Sequence, residues 1–195
     1  MLNTKRSRVR AAAGVGMAAV VATVGAVTFN ASAAERVPAA PAAVGADARA
    51  VSIPGIAPEI KPPDGSKPIG AYIVTNGTQN YKCDPATLTF EKTSTPEAQL
   101  IGTGGRLHHF GGPTWESLRD GSKVTAKKAG EKARQGTIAE LLLKVEQPTT
   151  GNGVLSKATY INRLLTSGGV APTTPCKTGD VASVKYGAVY VFWTN

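Results

Sequence analysis

The sequence predicts an all-β fold, an antiparallel β-sandwich or a distorted β-barrel, preceded by a signal peptide and a flexible linker. Three observations lead there. Short segments with alternating apolar residues recur through the second two-thirds of the chain. Turn formers separate them at short intervals: Asn76-Gly77, Asp84-Pro85, Asp120-Gly121, Gly151-Asn152-Gly153 and Gly168-Gly169. No sustained amphipathic helical period follows the first 33 residues, which leaves strands to build the core.

The chain opens with a basic segment, Lys5, Arg6, Arg8 and Arg10, then an apolar Ala/Gly-rich run from Ala11 to Val27, then Ala31-Ser32-Ala33. That is the layout of a removable secretory leader, residues 1–33. The run is short for a membrane span, so no transmembrane segment is expected after processing. Residues 34–59, rich in Ala and Pro, read as a flexible linker, and residues 60–195 as a single β domain.

Within that domain Ile69–Thr75 reads as a strand. Asn76-Gly77 carries the residue pair favoured in two-residue hairpins, because both tolerate positive φ, and Gln79–Cys83 reads as the return strand. A strand over Thr87–Thr93 would place Leu88 and Phe90 on one face. Ala98–Ile101 follows, then Lys123–Lys128 with Val124 and Ala126 on one face, then a polar loop over 130–136. Leu141–Val145 is a continuous apolar run, as in a buried strand. Gly151-Asn152-Gly153 signals a second hairpin, leading into a strand over Val154–Leu165. In it Lys157, Thr159 and Arg163 share one face, and Ala158, Tyr160 and Leu164 the other. A long loop carries Cys176, and Val181–Trp193 closes the chain. Tyr186, Ala188, Tyr190 and Phe192 line one face of that last strand; Val189, Val191 and Trp193 line the other, so both faces should be covered.

Loss of the leader removes four basic and no acidic residues, lowering the net charge from +9 to +5. The remainder suits attraction to anionic surfaces such as cell-wall polymers or lipid headgroups. It lacks the basic stripe of a nucleic-acid binder, and none is expected as a partner. Two cysteines remain, Cys83 and Cys176. An oxidising compartment favours a disulfide between them, and two buried free thiols are the alternative.

Several motifs occur in a set order. They are Ile60-Lys61-Pro62-Pro63-Asp64-Gly65, Gln79-x-Tyr81-x-Cys83, His109-Phe110-x-Gly112-Pro113-Thr114-Trp115 and Asp120-Gly121-Ser122. Leu141-Leu142-Leu143-Lys144, Leu155-Ser156-Lys157-x-Thr159-Tyr160-Ile161 and Gly168-Gly169-Val170-Ala171-Pro172 follow. The ordered set resembles the secreted family catalogued as domain of unknown function 3455. The resemblance implies export and carries no established activity, cofactor or site residue.

The stretch Gly104–Trp115 holds both histidines, and it is where chemistry would be sought. His109 is the candidate general acid or base, with Glu116 or Asp120 to orient it. His108 and His109 are neighbours, point to opposite faces of a strand and cannot share one metal, so no metal site is expected. The plainer reading has His109 bonding backbone in a turn and Trp115 in the core. Trp115, Tyr186 and Tyr190 are candidate binding residues, as a platform for sugar rings, although a stripe at this spacing also describes core. Lys123, Lys127, Lys128, Lys132 and Arg134 form a basic cluster that reads as a solvated face. No GxSxG, HExxH or P-loop occurs. A GxGxxA-like string, Gly14–Ala19, lies inside the leader and opens no βαβ unit, so no cofactor is expected. The expectation is a secreted, extracellular, non-catalytic binding or structural domain. The alternatives are a hydrolase using His109 and, from a Tyr-x-Cys element that resembles one in periplasmic lysozyme inhibitors, an inhibitor of an exported enzyme.

Overall fold

The structure is a computed structural model that describes residues 55–148 and 152–195, and the side chains of residues 147 and 148 fall outside the description. The leader, the Gly14–Ala19 string, the linker up to residue 54 and Gly151 therefore lie outside the described residues. Nine strands make one antiparallel sheet. They are β1 (Lys67–Asp84), β2 (Thr89–Phe90), β3 (Thr95–Gly102), β4 (Gly105–Phe110), β5 (Thr114–Ser117), β6 (Lys123–Lys132), β7 (Glu140–Pro148), β8 (Tyr160–Gly168) and β9 (Val181–Thr194). From β3 onward each strand pairs with the next, and β1 pairs with both β3 and β9. The sheet thus closes on itself as an irregular ring, with β2 attached to the far end of β1. Among the described residues, closure leaves no long free edge for another chain to pair with.

The expected all-β architecture is what forms, in its distorted-barrel version. The interior is apolar: Tyr72, Leu100, Leu107, Trp115, Val124, Leu143, Ile161, Tyr190 and Phe192 belong to one buried cluster. A second cluster lies on the outer side of β7, β8 and β9. There Leu142, Leu164, Val191 and Trp193 pack under Ile60, with Ile56 and Ala57 beside them. The segment entering the domain, read from the sequence as the end of the flexible linker, makes one 3-10 turn, Pro58–Ile60. Asn162 Nδ2 pins it by donating to the Ile60 carbonyl at 2.7 Å. An added Cβ at Gly130 would lie 2.2 Å from the Glu59 carbonyl oxygen, so the crossing depends on a bare backbone there. This strap explains why β9 is apolar on both faces.

Several boundaries differ from the sequence expectation. Asn76-Gly77 is no hairpin: β1 runs straight through it for 18 residues. The pair instead sits in a bulge, where the register slips between Val74 and Asn76 against β3 and between Ile73 and Thr78 against β9. The slip resets the alternation, so Gly70 and Tyr72 are buried before it and Gly77, Gln79, Tyr81 and Cys83 after it. Gly77 is required by close approach, since an added Cβ would sit 2.7 Å from Val74 and 2.9 Å from Tyr186. The strand expected over Thr87–Thr93 shrinks to two residues, because Leu88 turns at φ 52° and is exposed. β6 extends to Lys132, into the expected loop. β8 starts at Tyr160, not Val154. Residues 154–157 turn instead, and fully buried Leu155 joins the interior core.

Cys83, at the end of β1, is disulfide-bonded to Cys176, with Cα atoms 5.9 Å apart across 93 residues of sequence. The Cys176 amide also donates to the Leu88 carbonyl. The 169–180 loop is thereby held against the β1–β2 end of the ring. Among the described residues no helix is long and apolar enough to cross a membrane.

Candidate functional site

His108 and His109 lie on β4 and point to opposite sides, as alternation requires. His108 faces out and pairs with Glu97 at 2.6 Å. His109 faces in and is 2% exposed. Its ring stacks on Trp115 at 4.2 Å and 5° and meets the Tyr190 edge at 5.3 Å. Its Nδ1 lies 2.8 Å from the Thr114 carbonyl oxygen, which can only accept. Nδ1 therefore carries the proton, and Nε2 keeps the lone pair. Burial drives the imidazole pKa down to about 3, against a small opposing effect of the Thr114 bond. His109 is neutral at every physiological pH.

The two carboxylates considered for it are elsewhere. Glu116 pairs across the sheet with His108, not His109, and takes an ion pair from Lys123 at 3.3 Å. Asp120 lies in the β5–β6 turn, at the end of the ring opposite the 111–113 turn beside His109. It accepts from the Ser122 hydroxyl and amide and the Val154 amide. Those bonds, the Ser122 hydroxyl foremost, hold its pKa near 2. Asp120 is a staple between two turns.

Trp115, Tyr186 and Tyr190 are all buried, so the aromatic stripe of β9 lines the interior and presents no outer platform. The Tyr186 and Tyr190 hydroxyls are 3.3 Å apart. Burial raises both phenol pKa values, and the nearby Arg163 charge pulls each back in part. In the basic cluster, Lys127, Lys128 and Arg134 pair with Glu146, Glu131 and Glu140, and Lys123 with Glu116. That face is a mosaic of both signs. Among the described residues no group of three or more His, Cys, Asp or Glu side chains is placed to hold a metal.

What sequence reasoning missed lies at the disulfide-held end, where the loops before β3, between β4 and β5, before β7 and before β9 converge. A recess of about 110 Å³ is lined there by Gln79, Ser94, His109, Trp115, Arg163 and Tyr190, among others. An outer recess of about 340 Å³ shares Gln79, Ser94 and Arg163 and adds Lys92, Glu131 and Thr137. Arg163 follows Ile161 by two residues, so it shares the inward face with that core residue and not an outer face with Lys157. Its Nε and Nη2 both donate to the Ala139 carbonyl, at 3.1 and 2.9 Å. The Ser94 hydroxyl donates to Gln79 Oε1 and thereby fixes the amide orientation. Gln79 Nε2 and Trp115 Nε1, both buried, have no hydrogen-bond partner. The Gln79 amide lies close enough to the Tyr186 phenol to influence it electrostatically, without hydrogen-bonding geometry. A period-2 reading of Ile161-x-Arg163 beside a strand covered on both faces was the available signal.

The model of one protein family, described as a protein of unknown function (DUF3455), matches residues 63–194. No curated protein and no solved structure matches the chain.

Proposed function

The chain belongs to the DUF3455 family, and we propose that it is an exported, non-catalytic binding module whose ligand enters the disulfide-held end of the ring. The observation that carries this reading is the recess whose lining includes Trp115 and Gln79, each with a buried donor, Nε1 and Nε2, that lacks a partner. Buried polar groups are nearly always satisfied, and each one left bare costs about 1–3 kcal/mol. A ligand accepting from them would recover that cost, and the mouth of a closed sheet is a favoured place for one. Export is supported by the leader pattern and by the Cys83–Cys176 bond, which persists in oxidising compartments. The non-catalytic half of the reading is supported by His109. A base held near pKa 3 and bonded to a carbonyl instead of a carboxylate is a poor proton acceptor at neutral pH.

The test is a ligand screen on the processed, oxidised protein, following the two indole N–H resonances and thermal stability against small acids, sugars and amines. At least one class should shift the Trp115 resonance saturably and raise Tm. No response to any class removes the binding reading. Mass spectrometry of cell and culture fractions addresses export: a culture-fluid species beginning near Ala34 is expected, and an intact cytosolic chain contradicts it.

A further inference from the structure

We propose that the recess is an anion site for the carboxylate of a small organic acid, with Arg163 as its charged anchor. This rests on the binding reading above and adds the ligand's chemistry. Arg163 is a half-buried cation facing the interior of a closed sheet. Among the described residues no carboxylate forms an ion pair with it. Of the nearest acids, Glu131 is taken by Lys128 at 2.5 Å, and Glu140 accepts from Arg134 and the Leu165 amide. Two of its donors share one carbonyl, and the Tyr190 phenol is its other polar neighbour, so the acceptors that meet its charge are neutral. A cation withdrawn from water ordinarily needs an anion.

The surrounding groups favour the same sign of ligand. The two unpartnered buried atoms that belong to residues lining the recess are both donors. His109 is neutral and adds no competing charge. Lys92 stands at the rim and contributes a second positive charge to the approach. The planar guanidinium fork matches a carboxylate in two parallel bonds. The inner recess of about 110 Å³ holds the volume of about four water molecules, enough for a carboxylate and a carbon or two. The outer recess of about 340 Å³ can take the body of the acid, up to a single sugar ring.

The probes are acetate, glucuronate, glucose and inorganic phosphate, each titrated into the full processed protein by NMR and calorimetry. Trp193 provides an internal reference, because its indole belongs to the outer cluster. Acetate and glucuronate should shift the Trp115 indole N–H and leave Trp193 in place, while glucose has no effect at the same concentration. Arg163→Gln should weaken glucuronate at least tenfold, and Arg163→Lys, which keeps the charge but loses the fork, several-fold. Should the glutamine variant not fold, added sodium chloride decides on the wild-type protein: glucuronate affinity must fall as salt rises. Glucose binding as well as glucuronate overturns the anion site but leaves a binding module. Phosphate binding more tightly than either acid overturns the carboxylate assignment. Undiminished affinity in folded Arg163→Gln overturns the role of Arg163. Silence from all four probes overturns the anion site, and silence across the wider panel as well overturns the binding reading.

Discussion

His109 links the interior to pH. Its imidazole is neutral in the fold with a pKa near 3, whereas in the unfolded chain it titrates near 6.5. The unfolded state therefore binds more protons between those values, and stability falls as pH drops through that window. Linkage gives a loss of about 2 kcal/mol on going from pH 7.5 to pH 5. Urea unfolding at the two pH values measures it, and His109→Phe, which keeps the stack on Trp115, should flatten the difference. Equal wild-type stability at both would show that the ring is not buried as described. Asp120 acts in a separate, lower window, because its depressed pKa loses its contribution only below about pH 4. At this scale the sequence was partly legible. Neighbouring histidines had to face opposite ways, and they do. That Asp120 and Glu116 would end up away from His109 depended on where two turns fall across the ring, which residue types do not reveal. Arg163 escaped notice because a basic residue on a strand is ordinarily taken to mark the wet face.

Among the elements, β9 was the most readable. Its two apolar faces required two coverings, and the interior cluster and the Pro58–Ile60 strap supply them. Asn76-Gly77 misled, because the same dipeptide serves a tight turn and a bulge. Long pairings on both sides of β1 decided for the bulge, and no local pattern announces partners more than 100 residues away, such as Val184 for Gln79. Gly77→Ala probes the bulge directly. In the bulge it forces a methyl against Val74 and Tyr186 and should cost about 1–3 kcal/mol, read as a lower urea midpoint with an unchanged slope. An unaltered midpoint would contradict the bulge. The Leu155 turn was obscured for a related reason: its alternating residues suit a strand equally well, and only the closed ring offers Leu155 an end to fill.

At the level of the whole molecule, the class of fold and the Cys83–Cys176 pair were legible, because strand periodicity and an even cysteine count are local facts. The closure of the sheet was not. The disulfide joins points 93 residues apart, and chain-entropy arguments assign such a loop about 4–5 kcal/mol. Cys176→Ser, or reduction with dithiothreitol, should therefore lower Tm by many degrees and open the end of the ring that holds Arg163. Unchanged Tm on reduction would mean that the loop is held by its other contacts. The pairing of β1 with β9 has one more consequence, for the order of assembly. The first strand formed on the ribosome must wait for the last before its seam can zip, since Lys67 meets Thr194 and Ile73 meets Val189. A nascent chain cannot finish closing midway through synthesis, so acquisition of the native state should be slow, late and nearly all-or-none.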